Sequence, residues 1–97
     1  MSDGLIAKQM GVSHKEFFYF LGNTLQGAPF SVENNTVIIP RAQGHIEIKL
    51  SEEKKRVLSD VVRLPYTDIE MRFFDVTKAD QEAFLFRFKW CFQRGGG

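Results

Sequence analysis

Chemistry near neutral pH needs a group that titrates or attacks there, and this chain has few: His14, His45 and Cys91. His45 follows Gly44 and stands two residues before Glu47, so on an extended backbone the imidazole and the carboxylate share one face. Such a pair could tune a base or supply two metal ligands, but a third ligand is missing from the pattern. His14 falls in the first turn of a helix, where a cation is mildly disfavoured, and reads as a solvated surface group. Cys91 lies on an apolar stripe and reads as core. A lone cysteine excludes an internal disulfide and a Cys-rich metal site. No Walker loop, zinc spacing, nucleophile elbow or dinucleotide fingerprint is present. The expectation is a chain that is not an enzyme, with no catalytic residue, no metal and no cofactor.

The chemistry that remains is adhesive. Thr77 to Arg94 holds Phe84, Phe86, Phe88, Trp90 and Phe92, and no other stretch could bury as much apolar surface. It carries two periodicities. As a strand, its even positions from 84 to 92 are all aromatic; as a helix, Phe84, Leu85, Phe88, Cys91 and Phe92 form one stripe. The helix is preferred because start, stripe and stop agree: Thr77 as N-cap, Asp80 at the capping-box position, Gly95 at the end. It leaves Phe86 and Trp90 one turn apart on a second face. Aromatics and arginines most often carry binding energy. The candidate contact residues are therefore Phe86 and Trp90, bordered by Arg87, Lys89 and Arg94. Their occupant would be a protein partner, most simply a second copy, unless a neighbouring loop or the Leu5–Met10 segment folds over the two rings.

The elements that position this segment follow from pattern. Ser2 or Asp3 caps a short helical turn through Leu5, Ile6, Gln9 and Met10, ended by Gly11, with residues 1–12 loosely ordered. Ser13-His-Lys-Glu16 is a capping box, opening a helix with Phe17, Phe20, Leu21, Thr24 and Leu25 on one side. Asn34-Asn35 joins Phe30–Glu33 to Thr36–Pro40 as a tight hairpin. His45–Leu50 alternates, with Ile46, Ile48 and Leu50 inward, and Thr67–Phe73 does the same with Ile69, Met71 and Phe73. Residues 52–64 fit a helix or a strand; for 56–64 we read strand, with a turn at Leu64-Pro65-Tyr66-Thr67. The fold expected is α+β: an antiparallel sheet of about four strands, an N-terminal and a C-terminal helix on one face, and Glu47, Lys49, Glu70 and Arg72 on the wet face.

Ninety-seven residues suit one domain, here spanning 1–97 with 95–97 as a flexible tail. A net charge of +1 is low for a dedicated nucleic-acid binder, and no apolar run is long enough for a spanning helix. Without a signal-peptide pattern at Met1-Ser-Asp-Gly, the expected location is cytoplasmic, away from membranes.

At Ser13-His-Lys-Glu-Phe-Phe, at Arg63-Leu-Pro and at Phe92-Gln-Arg-Gly-Gly-Gly97 the sequence resembles a family of small proteobacterial proteins with no activity attached. The resemblance implies a bacterial origin and nothing about chemistry. The helix–sheet–helix order is similar to half of a TATA-box-binding protein fold, in topology alone. Ala7, Gly11, Val12 and Phe17 have the spacing of a helix-turn-helix, but the would-be reading helix would show Phe18 and Tyr19, with Lys15 its only cation. The leading expectation is a non-catalytic binding or assembly module. One alternative is a nucleic-acid binder using the basic and aromatic residues of the C-terminal helix, for which weak, salt-sensitive binding is expected. Another is a carrier with a Gly-Gly tail, which three glycines behind a helix fit poorly.

Overall fold

The computed structural model describes residues 5–94, with the side chains of Gln93 and Arg94 excepted. In chain order the elements are β1 (Leu5–Met10), α1 (His14–Leu25), β2 (Ser31–Glu33), β3 (Thr36–Pro40), β4 (His45–Leu50), β5 (Lys54–Val57), β6 (Arg63–Phe74) and α2 (Lys78–Arg94). The sheet is antiparallel, ordered β1-β6-β4-β3-β2, with β5 also paired to β6. The fold is α+β as expected, but with six strands rather than about four.

Both helices form where their signals lie. The Ser13 hydroxyl accepts from the Glu16 amide, and the Glu16 carboxylate accepts from the Ser13 amide, closing the capping box. Gln26 ends α1 in the left-handed conformation. At α2 the Asp80 amide donates to the Thr77 hydroxyl. The aromatic stripe then enters the core: Phe84, Phe88 and Phe92 are buried, with Leu85 and Cys91 partly so. Phe17 and Phe20 of α1 meet Phe92 with ring centroids 5.2 and 5.4 Å apart, and Phe84 meets Phe73 of β6 at 6.3 Å. Both helices thus cover one face of the sheet.

That face is the one alternation assigns. Ile46, Ile48, Leu50, Ile69, Met71 and Phe73 are all buried. On the opposite face, register sets Arg72 against Glu47 and Glu70 against Lys49, opposite charges across neighbouring strands. The Asn34-Asn35 hairpin is present, both residues at positive φ (51° and 63°).

Three local assignments fail. Leu5–Met10 is an edge strand paired with residues 67–72, not a helical turn. Its six residues could not sustain a helix alone, and their partner lies too far along the chain for any local pattern to reveal it. Lys8 takes the helix-side register position between Ile6 and Met10, and an inward charge on an edge strand discourages further pairing. Next, no single strand spans 56–64: β5 stops at Val57 and the reversal lies at 58–62, where the Leu58 amide donates to the Val62 carbonyl. Last, Leu64-Pro65-Tyr66-Thr67 is no turn but the start of β6. The Leu58–Val62 bond sets the phase of the ribbon, making Lys55 and Pro65 a non-hydrogen-bonded pair. Pro65 nitrogen then points away from β5, toward an edge where β1 has already ended, so its missing N–H costs nothing.

Between Leu50↔Ile69 and Lys54↔Tyr66, residues 51–53 oppose only Thr67 and Asp68, a bulge of one residue. Past the bulge the sheet narrows to β5 and β6 alone. This two-stranded arm accounts for the long axis of a molecule measuring 48 × 23 × 20 Å.

Two glycines predict opposite outcomes. Gly44 has φ +76°, and a Cβ there would overlap the Phe74 carbonyl and the Asp75 backbone; Gly22 is a helical glycine with open space around it. Gly44→Ala is expected to cost at least about 2 kcal/mol, and Gly22→Ala to stabilise by roughly 0.5–1 kcal/mol, both read from urea unfolding midpoints.

Candidate functional site

The outer face of α2 is what the apolar stripe leaves over. With Phe84, Phe88 and Phe92 turned inward, Phe86 is 72% exposed and Trp90 56%. Leu5–Met10, one of the two covers considered, is committed to the sheet as β1. Arg87 donates to the Gln26 side chain at 2.9 Å, which ties one bordering cation to the end of α1. Lys89 is exposed on the helix. Arg94 closes α2, and its side chain lies outside the described residues, as does the whole of Gly95–Gly97. The structure thus sets Phe86, Lys89 and Trp90 in the open and gives Arg87 a structural bond.

The groups considered for catalysis are dispersed. His14 is not the solvated group expected: its Nε2 lies 2.8 Å from the Ser51 carbonyl, and its amide donates to Glu53 at 2.9 Å. Those bonds tie the first turn of α1 to the bulge. A carbonyl only accepts, so the ring nitrogen is the donor. His45 stacks on Phe74, centroids 4.8 Å apart. Cys91 is half-buried against the core. Among the described residues no three His, Cys, Asp or Glu side chains gather as a metal site would require, and no helix is long and apolar enough to cross a membrane.

Sequence reasoning missed the arm. Val57, Leu58, Val61, Val62 and Leu64 are all exposed on it, with Val61 at 89%. Lys54, Lys55, Arg56 and Arg63 surround them, against Asp60 in the reversal. Lys54 bridges Asp68 at 3.3 Å, while Arg56 donates to Gln9 at 2.6 Å and lies 5.2 Å from the Tyr66 ring centroid. The available signal was Ser59-Asp60, two turn formers between short aliphatic runs. Beside the arm's base runs an open groove of about 570 Å³, lined mostly by apolar surface of Tyr19, Phe20 and Pro65 with Ser13, Lys15 and Glu16. On the other side, Gln9, Gly11, Arg56, Leu64, Pro65 and Tyr66 line a pocket of about 170 Å³, below the size usual for small-molecule sites.

One ion pair shifts both of its partners. Arg41, in the β3–β4 turn, grips Asp80 with two bonds of 2.9 and 2.7 Å and lies over Phe84 at 6.0 Å. The hydrogen bonds and charge of Arg41 hold the Asp80 carboxyl below its usual range, and Asp80 holds the guanidinium pKa up. This pair ties the β3–β4 turn to the first turn of α2.

No protein-family model, curated protein or solved structure matches the chain.

A lowered folded pKa means that the Asp80 contribution is complete above the unfolded value of 3.8 and fades as pH falls through the folded one. The stability gap between wild type and Asp80→Asn is therefore expected to be constant from about pH 5 upward and to close below pH 3.8. In a double-mutant cycle with Arg41→Ala, the coupling expected at pH 7 is about 1 kcal/mol.

Proposed function

We propose that this chain is a non-catalytic binding module whose outer α2 face docks a protein partner. The observation that carries the reading is Phe86, a large ring left 72% exposed by a helix whose Phe84, Phe88 and Phe92 fill the core. Trp90 stands one turn on, and paired aromatics on an ordered helix present apolar area at little entropic cost. Lys89 borders them, with Glu82 one turn before Phe86, so the complementary partner carries an apolar anchor with an acidic group opposite Lys89. The nucleic-acid reading draws less support, because Arg87 is engaged by Gln26.

The test compares captured proteins, then measures the purified partner. Phe86→Ser is expected to weaken its binding at least about tenfold without shifting the melting temperature, and Lys89→Glu to weaken it further at low salt than at high. A partner bound equally by wild type and Phe86→Ser would remove this face from the function. Sequence-specific, submicromolar DNA or RNA binding at physiological salt would replace the reading with the nucleic-acid one.

A further inference from the structure

The two edges of the arm differ in what they offer. The Leu58–Val62 bond phases the ribbon so that Lys54 and Arg56 bond across to Tyr66 and Leu64. Lys55 and Val57 therefore turn their backbone N–H and C=O groups outward from β5. On the opposite edge the outward groups belong to Arg63 and Pro65, and Pro65 has no N–H to give. Proline blunts that edge; nothing comparable blunts β5, whose four residues are all exposed.

The β5 edge is also charged in one sense. Residues 54–64 hold Lys54, Lys55, Arg56 and Arg63 against Asp60, a net +3 in a chain of +1, which leaves −2 for the rest (+1 less +3). Glu53, just before the arm, is turned toward α1, where it accepts from the His14 amide. Lys54–Asp68 and Lys55–Glu53 are exposed ion pairs of 3.3 and 3.9 Å, the kind that water largely screens. Arg56 bonds a neutral group, the Gln9 side chain.

We propose that β5 accepts an extended acidic segment of another protein as an added antiparallel strand. Main-chain bonds to Lys55 and Val57 would hold the segment, and charge would choose it. Partner residues opposite Lys55 and Val57 form the hydrogen-bonded pairs; those opposite Lys54 and Arg56 come closer, as non-hydrogen-bonded pairs. In the partner's own chain direction the complement is an aliphatic residue opposite Val57, then acids opposite Arg56, Lys55 and Lys54. Asp60 lies past the end of β5, beyond the paired residues. The same cations turn away a second copy. The two in-phase registers that overlap most of β5 with itself set Lys55 against Lys55, or Arg56 against Arg56. A nucleic-acid backbone would answer the charge but leave exposed Val57 and Leu58 without apolar contact.

The probe is a fluorescein-labelled peptide, Gly-Ser-Ile-Val-Glu-Asp-Glu-Ser-Gly, titrated with the full chain and followed by anisotropy and amide NMR. Binding with a Kd of about 100 µM or tighter at low salt is expected, with slowed amide exchange at Lys55 and Val57. Val57→Pro removes an outward N–H and no β5–β6 bond, so it is expected to weaken binding at least about tenfold with every charge in place. N-methylation of the peptide's Asp, which faces Lys55, is expected to do the same on wild-type protein. Lys55→Glu with Arg56→Glu is expected to lose this peptide and to bind one carrying Lys-Arg-Lys in place of the acids. Thermal melts control for folding. No binding at about 1 mM chain overturns the proposal, as does binding that neither Val57→Pro nor N-methylation weakens, because charge alone then explains it. Shifts centred on Phe86 and Trp90 overturn it by placing the acidic peptide on α2. Self-association abolished by Val57→Pro gives the edge to a second copy instead. Displacement of the peptide by duplex DNA or phosphatidylserine vesicles, which then fail to bind Lys55→Glu with Arg56→Glu, gives the arm to those partners and overturns it too.

Discussion

A twelve-residue strand presents backbone donors and acceptors along two edges, and those of β6 must be met wherever they are buried. β4 meets them along 69–74 on one edge, β1 along 67–72 on the other, and β5 continues beyond the bulge from Tyr66 to Arg63. The rest of the sheet is built outward from β4. Because β6 outruns its neighbours at one end, an arm with open edges is unavoidable there. Pro65 and the cations around it are the kinds of residue that natural sheets place on exposed edges.

Over the buried side of β6 the two helices interlock through rings. Phe73 meets Phe84, which stacks on Phe88, and Phe17 lies against both Phe88 and Phe92. Edge and tilted contacts of this kind add roughly 0.5–1.5 kcal/mol each beyond their burial. The rotation of α2 is thereby set, and with it the exposure of Phe86. Its start is pinned separately, by Thr77 at the cap and by Arg41 reaching from the β3–β4 turn.

What was legible in the sequence was local. The capping box at Ser13 and Glu16, the Asn34-Asn35 turn, the alternation at 46–50 and 69–73 and the stripe of α2 each lie within a dozen residues. Their rules depend on nothing farther away. β1 was not legible because it is a strand only through β6, and Leu5, Ile6, Gln9 and Met10 satisfy a helical period equally well. The arm was misread because its strands bury little: alternation reports a buried face, and Lys54–Val57 has none. Arg41 and Asp80 meet across 39 positions, a pairing that composition cannot show. Of the candidate contact residues, the exposure of Phe86 followed from the stripe, whereas the tie between Arg87 and Gln26 did not.

Chain connectivity gives the sheet an uneven entropic ledger. Leu5 and Arg72 pair across 67 positions (72 less 5), while Val57 and Arg63 pair across six (63 less 57). For flexible loops that difference in span amounts to about 2 kcal/mol of extra closure cost for β1. The arm therefore closes cheaply yet buries little, and β1 closes dearly but is anchored by buried Met10 and Val12 and by the Thr67 hydroxyl donating to the Val12 carbonyl. Register at the β1 edge is thus held at both ends, by Ile6 packed against the core and by Met10 and Val12 where the chain turns from β1 into α1.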